Sequence, residues 1–274
     1  MMIELPEAAT LAGQLGETLA GRTVVEAVAG ASPHKFAMFL GEPEAYGDMM
    51  RGQVVTGAAW YGGQAELEFG GLRLCFADGV NVRYLEPGAV VPAKHQLLVR
   101  FDDGSAIVCT ISMYGAMWLF EEGDIDNSYY LVAREKPSPL TDEFDEAYFR
   151  GLLTGDARKV SAKAFLATQQ RIPGLGNGVL QDILWQARIH PRRKMSDLSD
   201  EQTGDMYRSV KQLLADMTQA GGRSTEKDLF GNQGGYEVRM SRETVGLPCP
   251  ECGTPVERQS YMGGNVYVCA CQQA

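Results

Sequence analysis

The hydrophobic pattern of this chain changes period once, and the change falls at a proline-marked break. From about residue 22 to 134, short runs of β-formers (TVVEAVAG, QVVTGAAWY, QAELEF, LRLCFA, HQLLVRF, SAIVCTI) are separated by turn signals at Gly62-Gly63, Gly70-Gly71, Asp78-Gly79 and the DDG of 102–104. No helix-length segment intervenes, which excludes a parallel βαβ sheet and predicts an antiparallel sandwich or barrel. A short amphipathic helix precedes these runs over 8–20, with Ala8, Leu11, Ala12, Leu15 and Leu19 at helical spacing. The stretch REKPSPLTDEF reads as a linker. Beyond it helices are predicted at 142–153 with Thr141 as N-cap, at 159–170, at 177–188, and at 199–220. The last opens on a Ser199…Gln202 capping box and stops at Gly221-Gly222. Residues 223–246, polar and rich in glycine, read as a mobile loop. The fold class is therefore α+β, in two lobes.

The formal charge is −10, from 35 acidic and 25 basic side chains, which argues at first against a nucleic-acid partner. The charge is not evenly spread. Residues 1–150 hold 22 acidic and 10 basic side chains, while residues 158–194 hold eight basic ones (Arg158, Lys159, Lys163, Arg171, Arg188, Arg192, Arg193, Lys194) against Asp182 alone. Because salt screens interactions beyond about 8–10 Å, such a run can attract anions on an acidic protein; a solvated helix face is the plainer alternative. No run approaches the about 18 apolar residues that span a membrane. The start, MMIELPEAAT, has no basic flank or apolar core of a secretory signal, so a cytoplasmic location is expected (nucleoid-associated if the source is bacterial), with no membrane partner.

Cys75 and Cys109 lie in apolar runs and read as buried thiols. The other four cysteines, Cys249, Cys252, Cys269 and Cys271, crowd the last 26 residues as C-P-E-C, a 16-residue gap, and C-A-C. Two close thiolate pairs suit one tetrahedral zinc ion, with redox-active thiols as the alternative. Four thiolates would close the coordination shell, so the site would be structural, holding GTPVERQSYMGGNVYV as a β-hairpin.

In RIPGLGNGVLQDILWQARIHP (171–191) a glycine-rich turn opens a helix from about 178. Amides at such a start form an anion site, to which Asn177 could add its side-chain amide and the neighbouring basic residues their charge. With ELPEA at 4–8, KVSAKAFLATQQRIPGLGNGVLQDILWQARIHP at 159–191, GGRSTEKDLFG at 221–231 and the terminal cysteine finger, in that order, the chain resembles the formamidopyrimidine-DNA glycosylase / endonuclease VIII family over its whole length. The resemblance implies an N-terminal β-sandwich with flanking helices (1–134), a linker (135–144), a helix–two-turn–helix domain (145–240) and a zinc finger (241–274). DNA, most readily damaged double-stranded DNA, would lie between the lobes of a monomer. The implied activity is excision of a damaged base in base excision repair, followed in that family by strand cleavage through elimination.

Residue by residue, the resemblance is incomplete. The family's chain begins with a proline whose amine attacks the sugar C1′ while the adjacent glutamate moves protons. Here the proline position is Ile3, the glutamate is Glu4, and Glu7 matches a second glutamate of the motif. Two methionines precede Ile3, and an amine displaced by up to about 3.6 Å per residue misses the reacting carbon. A family lysine falls at about Gly63. The histidine–leucine–glycine–methionine run that touches phosphate and wedges into DNA aligns with Cys75, Phe76, Ala77 and Asp78. An arginine–phenylalanine wedge aligns with Met113 and Tyr114, and the finger arginine with Gly264. Retained are His95, Lys159 and Asn177, matching DNA-contacting residues; Lys163 and Tyr114 complete the candidate DNA-binding set. A glycosylase that hydrolyses the N-glycosidic bond through Glu4, with lyase activity weak or absent, fits this pattern. A catalytically inactive nucleic-acid-binding paralogue is the alternative.

Overall fold

The structure is a computed structural model and describes residues 2–273. Helix α1 (Leu5–Leu19) buries Leu5, Ala8, Leu11, Ala12, Leu15 and Leu19 along one stripe. It begins earlier than the apolar spacing predicts. Glu4 caps it in a reciprocal box with Glu7, and Pro6 occupies the first turn, where its missing amide costs no hydrogen bond.

The N-terminal lobe follows with β1 (Val24–Ala29), β2 (Ala37–Phe39), α2 (Tyr46–Met50), β3 (Gly57–Tyr61), β4 (Gln64–Phe69), β5 (Leu72–Leu85), β6 (Leu97–Phe101) and β7 (Ala106–Glu121). The strands are joined in the order β1-β6-β7-β5-β4-β3, with β2 parallel to β7. The register divides this connected sheet into two layers. The first half of β5 pairs with β4 and with the second half of β7, as in Leu74↔Leu119; the second half of β5 pairs with the first half of β7, as in Val82↔Cys109, and that half carries β6. The break comes at Asp78/Val80, where Asp78 takes a left-handed φ of 57° and residues 112–114 bulge out exposed. Side chains from both layers and from α1 share one core that includes Leu67, Phe76, Val82, Val99 and Ile107.

After α3 (Ser128–Glu135), the second lobe contains α4 (Glu146–Gly151), α5 (Ala162–Ala167), α6 (Val179–Gln186) and α7 (Asp200–Gln219), around a core that includes Phe149, Phe165, Ile183 and Leu214. Strands β8 (Glu257–Tyr261) and β9 (Gly264–Val268) form the terminal hairpin. Four expectations need correction. The stretch to 134, read as all β, ends in α3, because the Asn127 side chain accepts from the amides of Tyr129 and Tyr130 and starts a helix. Asp145, and not Thr141, caps α4, accepting from the Tyr148 amide at 2.7 Å. The helix expected over 159–170 shrinks to α5, since Gln169 and Gln170 both take positive φ, 58° and 44°. Residues 223–246 are irregular but tied down: Arg223, Leu229 and Met240 are buried, and the Asp182 carboxylate accepts from the Tyr236 hydroxyl and the amides of Arg239 and Met240.

The lobes meet backbone to backbone. The β3–β4 turn at Gly62-Gly63 lies against Pro173-Gly174, so a Cβ on Gly62 would stand 2.7 Å from that of Pro173, and one on Gly174 would run into the Gly62 carbonyl carbon. The Leu5 amide donates to the Gly174 carbonyl at 2.9 Å, and Leu5 is buried in the second lobe's core, so α1 spans the junction. Gly174→Ala should therefore cost about 3 kcal/mol or more, combining positive-φ strain with overpacking. Gly21, at φ 80° with open space around it, isolates the backbone part, and Gly21→Ala should cost only about 1–2 kcal/mol. Denaturant titration of both variants reads the difference; equal losses would mean that the junction is not closed there.

Candidate functional site

At this junction the Glu4 carboxylate crosses from the start of α1 to the start of α6. Its Oε1 accepts from the Gly178 amide and its Oε2 from the Val179 amide, both at 2.8 Å. The anion at this helix start is thus supplied by the protein itself. That corrects the expectation that these amides are free for phosphate. It also explains the glycines of the turn: a Cβ on Gly176 would stand 2.6 Å from Glu4 Oε1, and one on Gly178 would overlap the Arg223 guanidinium.

Arg223 is the residue that the sequence reading left without a role. It is 2% exposed and lies between two glutamates. Its Nη1 stands 3.5 Å from Glu4 Oε2, while its Nε donates to Glu7 Oε1 at 2.9 Å and its Nη2 to Glu7 Oε2 at 2.8 Å. Glu7 also accepts from the Arg223 amide at 3.1 Å and from the Glu4 amide at 3.3 Å. The signal in the sequence is an arginine directly after Gly221-Gly222, within GGRSTEKDLFG; two glutamates three residues apart need a cation if both are buried. Burial pushes the Glu4 carboxyl above the usual range, and Arg223 and the two amides pull it back only in part. Burial alone would lower the Arg223 pKa, but Glu4 and Glu7 more than reverse this and hold the guanidinium charged.

Ile3, Glu4 and Asn177 line one pocket of about 180 Å³ together with Asp78, Tyr129 and Ile172. The Ile3 nitrogen is an amide that donates to the Asp78 carbonyl at 2.8 Å, and the Ile3 side chain is buried. A lysine at Gly63, as the resemblance implies, would press on its neighbours, since a Cβ there would stand 3.0 Å from the Ile3 carbonyl oxygen and 3.3 Å from the Gly174 Cα. Tyr129 is held neutral: burial, Asp78, Tyr114 and Glu4 together push its hydroxyl up to about 12.

Apart from Asn177, the remaining candidates are not in the lining of this pocket. Tyr114 is on the exposed bulge of β7. His95 is half-buried ahead of β6, its Nδ1 2.8 Å from the Pro92 carbonyl oxygen. Lys159 is exposed and paired with Asp156 at 2.8 Å. Asn177 is exposed, with its Nδ2 3.3 Å from the Asn265 carbonyl of the finger. Lys163 requires correction as a surface contact: it is 6% exposed and donates to the Tyr261 carbonyl at 3.0 Å, fastening α5 to the finger. Arg192 does the same through the Ser260 carbonyl at 2.7 Å, so part of the basic run is structural.

In the finger, the sulfurs of Cys249, Cys252 and Cys269 lie within 4.8 Å of one another, with Cys252 and Cys269 3.4 Å apart. Thiolates on a tetrahedral zinc with bonds of about 2.3 Å are about 3.8 Å apart, so this donor set fits a metal ion of that kind. Trp185 Nε1 donates to Cys249 Sγ at 3.4 Å, as a partner to a thiolate would. Cys271 is exposed and lies outside this group of three. The Gln273 side chain accepts from the Cys269 amide at 2.9 Å. No helix among the described residues is long and apolar enough to cross a membrane.

Comparison with known proteins agrees with this architecture. Residues 136–228 match the formamidopyrimidine-DNA glycosylase H2TH domain. The chain is 28% identical over 279 residues to the formamidopyrimidine-DNA glycosylase of Lactococcus lactis subsp. lactis, covering 99% of this chain and 100% of that one. It is 33% identical over 168 residues to that of Thermus thermophilus, a match spanning 58% of this chain and 61% of the relative. A solved complex of the Lactococcus lactis protein with DNA containing an abasic site superposes with a TM-score of 0.83 at 26% identity, over 99% of this chain and 100% of that one. The crystal structure of the Thermus thermophilus protein gives 0.81 at 24% identity, over 98% of each. The chain belongs to the formamidopyrimidine-DNA glycosylase / endonuclease VIII family.

Proposed function

We propose that this protein is a DNA glycosylase of base excision repair that releases a damaged base by hydrolysis, without cutting the strand. The observation that carries this reading is the contrast between neighbours in one pocket: Glu4 presents a carboxylate, while Ile3 presents an amide already engaged with Asp78. An amide nitrogen shares its lone pair with its carbonyl and cannot attack C1′, so no Schiff base forms and the elimination that would follow has no starting point. Two backbone amides orient the Glu4 oxygens, and the carboxylate lines the pocket, where it can accept from a water. As the base departs, C1′ becomes positive. Glu4 stabilises that charge and takes the proton of the attacking water. Glu7 acts through Arg223, whose guanidinium favours the anionic form of Glu4 against burial.

The relatives' names and the Lactococcus lactis complex with abasic-site DNA support a damaged duplex as partner. Lys159, Asn177, His95 and Tyr114 are the proposed backbone and groove contacts. The finger is proposed to hold one structural zinc through Cys249, Cys252 and Cys269, with Cys271 as the fourth thiolate. Its role is to hold the hairpin against α6, where the Tyr267 amide donates to Gln181 Oε1 at 3.1 Å. The inactive binding paralogue remains the second reading, because Gly62 and Gly174 close the junction where the family lysine would enter.

Borohydride should trap no covalent complex with abasic-site DNA; a trapped band would mean that an amine reaches C1′ after all. Glu4→Gln should slow base release by at least about 100-fold while leaving duplex binding in place, as read by single-turnover rates and fluorescence anisotropy. A variant as fast as the parent would remove Glu4 from the mechanism. The base is the deprotonated form and its pKa is raised, so the rate should fall as pH drops while still above the ordinary glutamate range. A rate–pH profile flat through that range would contradict the assignment.

A further inference from the structure

The family's site, as the resemblance implies it, is lined by cations: a proline amine and a lysine. Here both are replaced by uncharged groups, Ile3 and Gly63, and a carboxylate, Asp78, is added at the rim. Among the described residues no lysine or arginine lines the pocket. Two cations stand outside the lining, Arg171 donating to Gln169 Oε1 and Lys136 to the Gln170 carbonyl, both at 2.5 Å, and Arg223 stands behind Glu4 and is shared with Glu7. Asp78 has no such partner. Its side chain makes no hydrogen bond or ion pair among the described residues, although the strand break and its left-handed backbone hold it half-buried in the wall of the pocket. Burial, uncompensated, raises its pKa. Such a carboxylate is stabilised by a positive ligand and destabilised by a neutral one that takes away its water. Tyr129 supplies an uncharged aromatic ring in the same wall, which favours a flat cation.

We propose that the flipped base taken into this pocket carries a formal positive charge, as an N-alkylated purine does. The inference rests on the glycosylase reading and names its substrate class. The chemistry fits what the site lacks as well as what it holds. When the C1′–N9 bond of a cationic purine breaks, its electron pair moves onto the ring and cancels the charge, so the leaving base needs no proton donor. Water adds to C1′ and gives its proton to Glu4, which returns it to solvent. The products are a neutral alkylated purine and an abasic site. A neutral oxidised base leaves as an anion unless it is protonated, and this pocket has no lysine to do so.

The test compares duplexes carrying 7-methylguanine, which is cationic, or 8-oxoguanine, which is neutral, at one position opposite cytosine. We expect the full chain to release 7-methylguanine at least about tenfold faster, and Asp78→Asn to remove most of that preference. Asparagine keeps the shape of Asp78 and tolerates its left-handed backbone. If the variant fails to fold, the comparison on the parent protein still decides the matter. Release of 8-oxoguanine as fast as or faster than 7-methylguanine overturns the charge argument and leaves the glycosylase reading standing. An unchanged preference in a folded Asp78→Asn removes Asp78 as its cause. Release of neither base overturns both.

Discussion

The Glu4 carboxylate closes the start of α6 from across the lobe junction, and the rest of the site is arranged around that contact. Two amides at 2.8 Å fix both oxygens, and Arg223 balances the charge from behind. An anion at a helix start contributes up to about 2 kcal/mol in a partly buried setting, and breaking a buried ion pair by removing one partner costs about 3–5 kcal/mol. The pair is therefore as much a hinge pin as a chemical group. Gly176 and Gly178 follow from it, because any side chain there would displace the carboxylate or the guanidinium. So does the order in residues 221–240, since the loop that carries Arg223 is fixed at one end by Glu7 and at the other by Asp182.

The lobes, the order of strands before helices, and the finger were legible in residue patterns, because each is a local signal: period two, period 3.6, and paired cysteines. What was not legible depends on contacts distant in sequence. Nothing in the spacing of Gly174 and Gly62 shows that they touch, and nothing around Gly178 shows that its amide is satisfied from residue 4. A glycine-rich turn before a helix predicts an anion; it does not say whose. Lys163 illustrates the same limit. Its charge placed it on a phosphate surface, whereas the Tyr261 carbonyl, about a hundred residues away, holds it inside.

The acidic balance of the first 150 residues, which argued at first against nucleic acid, acquires a local meaning. The carboxylates that matter are Glu4 and Asp78, which give the pocket its sign, while part of the basic run is engaged in holding the finger to the helices. Overall charge and site charge are separate quantities in this protein, and the second is set by a few buried groups whose partners can be counted.

The central claim is that a carboxylate-activated water, and not an amine of the chain, takes the sugar carbon. The most direct measurement is product analysis after a single turnover on an end-labelled duplex from which base is released, with and without alkali. The account predicts an uncut strand that breaks only on alkaline treatment, at a rate matching base release. A strand already cut before alkali, appearing in step with the released base, would contradict it.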